Sequence, residues 1–252
     1  MTDLTGRSAV VTGGGSGLGA AIAQALHARG AEVIVVGRDE SKLASLVASL
    51  GAGARWARCD VSDPASVDAL RRELEDTEVS ILINNAGIAG PVAALTDVDV
   101  DDWDEVFAVN VRGTFLLCRA FLPGMTLRGT GDVINIASVS GKRPLARRTP
   151  YCASKMAVIG LTSTLAFEVG PAGVRVNTLS PGPVSGPRMD RNFRLEAERL
   201  GSTVDDAQQA FVSRSALGRM VTEQEVGMAI ISMLGMPGMC GADVDLSAGM
   251  VA

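Results

Sequence analysis

Ala9-Val10-Val11-Thr12-Gly13-Gly14-Gly15-Ser16-Gly17-Leu18-Gly19 is the stretch whose reading decides the fold. An apolar run, Ala9 to Val11, predicts a strand that enters it. An amphipathic pattern from Gly17 to Arg29 predicts a helix that leaves it. Glycine allows a tight turn and lets the backbone approach a ligand closely. The helix start offers unpaired N–H groups and the positive end of the helix dipole, which together suit a pyrophosphate. A glycine cluster alone is weak, but a cluster after a strand and before a helix is the context a dinucleotide site requires. The spacing here is TGxxxGxG, with Gly13, Gly17 and Gly19 as the marked glycines and Gly15, Ser16 and Leu18 between them.

The same alternation continues outward. Strands are predicted at Glu32 to Val36, Arg55 to Arg58, Val79 to Ile83, Val133 to Ile136, Val174 to Leu179 and Asp243 to Leu246. Helices are predicted at Asp39 to Leu50, Ser62 to Glu75, Asp101 to Arg128, Tyr151 to Val169 and Glu223 to Leu234, with a helical region from Arg188 to Arg214. Asp39 and Ser62 are the expected N-caps of their helices, and Pro123 is the expected interruption of the long one. Strand–helix alternation from end to end means parallel strands joined by crossovers. The expected fold is α/β: a single doubly wound Rossmann domain over 1–252, a parallel sheet of about seven strands with helices on both faces.

Composition narrows the function. With 47% hydrophobic residues, 20% charged residues and a net charge of -5, nucleic acid and anionic membranes are poor partners. Unbroken apolar runs are short, so no segment is expected to reach spanning length and no membrane partner is expected. The first residues lack a basic start and an apolar stretch, so a cytoplasmic location is expected. The four cysteines form no metal or disulfide spacing, and the single histidine, His27, excludes a Ser-His-Asp triad or a multi-histidine metal site. No metal is expected. His27 itself reads as an ordinary helix-surface position.

Further motifs follow in order. Asp60-Val61 follows the third strand and Asn84-Asn85-Ala86-Gly87 the fourth. Asn110 sits in Val109-Asn110-Val111-Arg112-Gly113, Ser138 in Ala137-Ser138-Val139-Ser140-Gly141, and Tyr151-Cys152-Ala153-Ser154-Lys155 is a YxxxK. Pro181-Gly182 follows the sixth strand. In order and spacing the chain resembles the short-chain dehydrogenase/reductase family, in its short, 3-oxoacyl-reductase-like branch, over nearly its whole length. The resemblance implies an oxidoreductase moving a hydride between NAD(P)(H) and a carbonyl or secondary alcohol, with Ser138, Tyr151, Lys155 and Asn110 as the catalytic set. It implies cofactor contacts at the glycine loop and at Asp60, Val61, Asn85, Ala86, Gly87, Tyr151, Lys155, Pro181, Gly182 and Val184. It gives Asn110 a water in a proton path through Lys155.

The chemistry also follows from the residues. Tyr151 and Lys155 lie one helical turn apart, on one face. Tyr151 is the only tyrosine in the chain. A free phenol titrates near pH 10, and bringing it to about 7 needs roughly 4 kcal/mol of preference for the phenolate. One ammonium about 4 Å away, at an effective dielectric of about 20, supplies an interaction of that size. Lys155 and a cationic nicotinamide would make Tyr151 a workable acid/base. Ser138 would polarise the substrate oxygen, since no histidine is placed to activate it as a nucleophile. Ser140 is its rival, and the alignment through Gly141 favours Ser138.

An acid after the second strand would select NAD. The aligned residue is Gly37, followed by Arg38, whose guanidinium suits a 2′-phosphate. NADP(H) is expected, with NAD possible, although Ser16 stands where a second basic residue would help. In the alternative, Arg38 faces solvent and Asp39 touches the ribose.

The resemblance weakens after Pro181-Gly182. Gly186 occupies a position where the family often has threonine, so Ser185 or backbone would have to replace that contact. Leu246-Ser247-Ala248-Gly249 also departs from the family's ending. The 187–214 segment is the expected substrate lid. Its Arg188, Arg191, Arg194 and Arg199 read first as a solvated charged face interleaved with Asp190, Glu196 and Glu198. The sharper alternative gives Arg188 or Arg191 an acidic substrate, and Lys142, Arg143, Arg147 and Arg148 carry the same two readings. The resemblance also implies a homodimer or homotetramer. The competing function is a catalytically inactive dinucleotide-binding regulatory protein.

Overall fold

Seven parallel strands run through the molecule in the order β3-β2-β1-β4-β5-β6-β7: β1 (Ser8–Thr12), β2 (Glu32–Gly37), β3 (Ala54–Arg58), β4 (Val79–Asn84), β5 (Gly131–Ile136), β6 (Val174–Pro181) and β7 (Asp243–Leu246). The computed structural model describes residues 2–250; the side chains of 187 and 188, and with them that of the lid residue Arg188, lie outside the description. Helices α1 (Gly17–His27), α2 (Glu40–Leu50), α3 (Pro64–Glu73), α4 (Val100–Phe107), α5 (Gly113–Arg128), α6 (Thr149–Val169), α7 (Pro187–Leu200), α8 (Val204–Val212) and α9 (Glu223–Leu234) complete the alternation.

The sheet is buried on both faces because its strands alternate two apolar sets. Ala9, Val11, Val33, Val35, Ile81 and Ile83 meet Ile22 and Leu26 of α1, Leu43 of α2 and Ile230 of α9. Val10, Ile34, Val36, Leu82 and Val133 point the other way, to Val67 and Leu70 of α3 and Leu117, Phe121 and Met125 of α5. Strand order reverses between β1 and β4, so their carboxyl ends open a crevice at that point.

Several local expectations change. Asp63, not Ser62, caps α3: Asp63 accepts from Ala65 N, while the Ser62 hydroxyl is spent on Asp60 Oδ1 at 2.7 Å. Asp39 does cap α2, accepting from Lys42 N. Pro123 stays inside α5; the long helix is instead interrupted by a π turn at Ala108–Arg112, which carries Asn110 inward. The 188–214 region splits into α7 and α8 at Gly201. On α7 Met189, Phe193 and Ala197 face inward, Arg191 and Arg194 are exposed, and Arg199 pairs with Glu196 at 2.6 Å. His27 is half-buried and its Nε2 lies 2.8 Å from Ala52 O. Two helical stretches, Val100–Arg128 and Thr149–Ala172, are long and apolar enough to cross a membrane, contrary to expectation. Counting unbroken apolar runs misses them, because scattered polar residues break the runs yet leave the average hydropathy high. Both stretches pack in part against the sheet, and buried helices meet the same criterion.

At the amino ends of the strands, Asp132 is held by two arginines, with Arg7 Nη2 at 2.7 Å from one oxygen and Arg175 Nη2 at 2.7 Å from the other. The carboxylate side chain is only 10% exposed, so removing it strands two half-buried cations. Asp132→Ala is expected to cost about 3 kcal/mol, read as a lower urea midpoint with an unchanged m-value.

Candidate active site

The crevice between β1 and β4 is closed at its floor by one hydroxyl. Thr12 Oγ1 donates to Ile83 O at 3.3 Å and accepts from Asn85 N and Ala86 N, each at 3.0 Å. The Asn85 amide donates to Thr12 O at 2.9 Å and Gly13 O at 3.4 Å. Asn85 therefore locks the glycine loop to the end of β4. In the loop, Gly13 has φ +64, and a β-carbon at Gly19 would lie 2.1 Å from Gly13 O, so only glycine fits there. The first turn of α1 has no acidic residue, and its N-cap Ser16 makes no side-chain cap bond. That leaves backbone N–H groups directed at the crevice, the donor set a diphosphate needs.

The cleft has a volume of about 400 Å³. Of the residues expected at the site, it brings together Gly13, Ser16, Leu18, Gly19, Asn85, Ala86, Gly87, Ser138, Tyr151, Lys155, Pro181, Gly182 and Val184. Ile88, Ile136 and Ala137 also line it and were not foreseen; the rule that ligands sit at carboxyl strand ends would have pointed to them. Gly15, Gly17, Arg38, Asp60, Val61 and Asn110 stand outside this lining.

Ser138 is in extended backbone at φ −170, where β5 gives way to a short turn at Val139–Gly141, and its Oγ accepts from Ser140 N at 3.1 Å. Ser138 lines the cleft and Ser140 does not. Tyr151 and Lys155 come from the first turns of α6. Lys155 is 5% exposed; its ammonium donates to Ile136 O at 2.8 Å and lies 5.8 Å from the centre of the Tyr151 ring. Asn110 is buried behind them. Its Oδ1 accepts from Ile88 N at 2.8 Å, and its Nδ2 donates to Ile88 O at 3.0 Å and Ser154 Oγ at 2.9 Å. Ser154 Oγ donates in turn to Tyr151 O at 2.8 Å. A β-carbon at Gly87 would lie 3.1 Å from Asn110 Oδ1 and 3.4 Å from Lys155 Nζ, so both flank that glycine.

Arg38 lies on the rim at the ends of β2 and β3. Its Nη1 is 3.9 Å from Asp60 Oδ2, and its side chain is 66% exposed. Burial pushes the Asp60 carboxyl upward, but bonds from the Ser62 hydroxyl and N–H, with Arg38 and Arg112 nearby, outweigh it and hold Asp60 below the usual carboxylate range. Asp39 spends its carboxylate on Ser41 Oγ, Lys42 N and Lys42 Nζ. Ser185 Oγ donates to Val221 O at 3.3 Å and faces a neighbouring hollow with Asp205, Gln208 and Arg219. The cations of the 142–148 loop are braces: Lys142 bonds Asp243 and Asp245, Arg143 bonds Met250 O, Arg147 bonds Val92 O and Arg148 bonds Gly90 O.

The family model for the short chain dehydrogenase matches residues 7–198. The chain belongs to the short-chain dehydrogenase family. This short-chain dehydrogenase is 36% identical over 230 residues to "2-(S)-hydroxypropyl-CoM dehydrogenase 3" of Xanthobacter autotrophicus, covering 89% of the chain and 88% of that protein. It is 41% identical over 207 residues to "D-threitol dehydrogenase" of Mycolicibacterium smegmatis, covering 76% and 79%. The solved structure of a single-residue variant of actinorhodin polyketide ketoreductase with NADPH superposes with a TM-score of 0.92 at 30% identity, covering 99% of each chain. The protein is thus an oxidoreductase that acts on alcohol or carbonyl groups, in a family served by NAD or NADP.

Asn110→Ala in this dehydrogenase removes three hydrogen bonds at once, one buried and two part-buried. It leaves the Ile88 amide groups and the Ser154 hydroxyl to be re-satisfied. The expected cost is about 2–3 kcal/mol of stability, measured by chemical unfolding of the purified variant.

Proposed function

We propose that this enzyme interconverts a carbonyl compound and its secondary alcohol with NADP(H), with Tyr151 as the general acid/base. The observation that carries the reading is the buried ammonium of Lys155 beside Tyr151, in a cleft that also holds Ser138 and the glycine loop. Gly13, Ser16, Leu18, Gly19 and the first-turn amides of α1 would hold the diphosphate. Asn85, Ala86, Gly87, Pro181, Gly182 and Val184 would line the cofactor's path toward Tyr151. Arg38 would meet the 2′-phosphate, and Asp60 and Val61 the adenine. When bound, the nicotinamide supplies the hydride or receives it.

The protein's own part is proton handling. Ser138 orients the substrate oxygen by hydrogen bonding. Tyr151 gives that oxygen a proton in reduction and takes it back in oxidation. Lys155 stabilises the phenolate left behind, as a near cation does in a poorly solvated place. Asn110 anchors the Ile88 backbone and the Ser154 hydroxyl behind Tyr151 and, by the family resemblance, closes the proton path. We further propose that α7 and α8 form the substrate lid of the unit and that exposed Phe115 and Phe167 belong to a surface where copies associate. The regulatory alternative is disfavoured, since the relatives named above are dehydrogenases.

Tyr151→Phe is expected to lower kcat by about 10³-fold while leaving the dissociation constant for NADPH nearly unchanged, measured by steady-state kinetics over a ketone panel and by fluorescence titration. A variant with wild-type kcat overturns the assignment. Arg38→Ala is expected to raise KM for NADPH about 10- to 50-fold with little effect on NADH. An unchanged ratio removes Arg38 from cofactor selection.

A further inference from the structure

We infer that the carboxylate of Glu223 is a tethered competitor for the cofactor's diphosphate and holds dinucleotide affinity down. The inference rests on the dinucleotide reading above. Glu223 is the first residue of α9 and is half-buried. A β-carbon at Gly17 would lie 3.6 Å from Glu223 Oε1, and one at Gly186 would lie 3.4 Å from the same oxygen. Gly17 opens α1 and Gly186 is the N-cap of α7. The starts of α1 and α7 therefore flank one carboxylate oxygen, which the first residue of α9 carries. Such termini favour negative charge. The first turn of α1 contains no acid of its own and no side-chain cap, so Glu223 brings that charge from another element.

The placement is rigid. Helices α1 and α9 lie side by side, and a β-carbon at Gly227 would lie 2.8 Å from Ala25 Cβ and 3.3 Å from Ala21 O. Val226 and Ile230 of α9 are fully buried. The carboxylate has its own rotamers for movement and little else.

A diphosphate entering the glycine loop seeks the N–H groups of the same helix start. It brings negative charge up to a carboxylate that stands beside the cleft, behind Gly17, and not in its lining. Glu223 then either swings out of its seat or stays and repels, and both responses weaken binding. NAD and NADP share the diphosphate, so the effect is equal for both. That separates Glu223 from Arg38, which would act on the 2′-phosphate alone. The loosened grip also favours release of the spent cofactor.

The test is fluorescence titration of NADPH and of NADH into the full chain as wild type, Glu223→Gln, Glu223→Ala and Glu223→Lys, each at low and high ionic strength. The dissociation constants for both dinucleotides are expected to fall about tenfold in Glu223→Gln and Glu223→Ala and further in Glu223→Lys, and the differences are expected to shrink at high salt. A purely structural role for Glu223 would not give tightening graded by charge. An unshifted or weakened affinity in Glu223→Gln, or tightening for one dinucleotide only, overturns the inference while leaving the proposed function intact. A wild-type protein that bound neither dinucleotide would overturn both.

Discussion

The hydroxyl of Thr12 joins two strands that are distant in sequence at the point where the sheet changes its direction of growth. It donates to the end of β4 and accepts from the two amides that follow it. Parallel strands present all their carboxyl ends on one side, and loops leaving neighbouring strands in opposite directions must part. Without a tie, the crevice would widen into a loosely ordered gap. With it, the glycine loop and the Asn85–Gly87 turn hold fixed positions on the two sides of the cleft.

The second constraint is the burial of Lys155. A lysine so nearly removed from water is costly unless its protons find acceptors. Ile136 O, at the end of β5, supplies one such acceptor. The sheet thereby sets where the ammonium lies, and α6 sets where the phenol lies relative to it. The buried cation and the phenol belong to one helix but are positioned by two elements. The pair is therefore sensitive to how α6 docks on β5, a docking that Asn135 Nδ2 reinforces by donating to Thr162 Oγ1 at 2.8 Å.

Much of this was legible in the chain itself. Apolar strands buried on both faces, and glycine-led helix starts, are local signals, and the sheet with its cleft followed from them. That the glycine loop, Ser138, Tyr151 and Lys155 would line one cleft was readable, because Tyr151 and Lys155 are a helical turn apart and the others follow carboxyl ends of strands. What escaped was set by partners far away. Ser62 looked like a cap, but its hydroxyl is drawn to Asp60. Asn85 reads as a ligand contact and does line the cleft, but its second task, holding the loop across the crevice through its amide, left no mark in the sequence. Pro123 looked like a break, but the true break is at Asn110, whose partners Ile88 and Ser154 come from other elements. Glu223 carried no motif at all, and it reaches the glycine loop only through the packing of α9 on α1.

The π turn at Ala108–Arg112 has a reach beyond Asn110. An α-helix advances about 100° per residue, so one extra residue in a turn rotates everything before it by nearly a third of a revolution relative to everything after. The turn thus works as a phase shifter in the long helix. Val106 and Leu117 lie about three turns apart and would share one face of a regular helix; the inserted residue turns them to different directions, and both are buried. The insertion that brings an amide into the interior is the same one that lets a single helix serve two differently oriented walls.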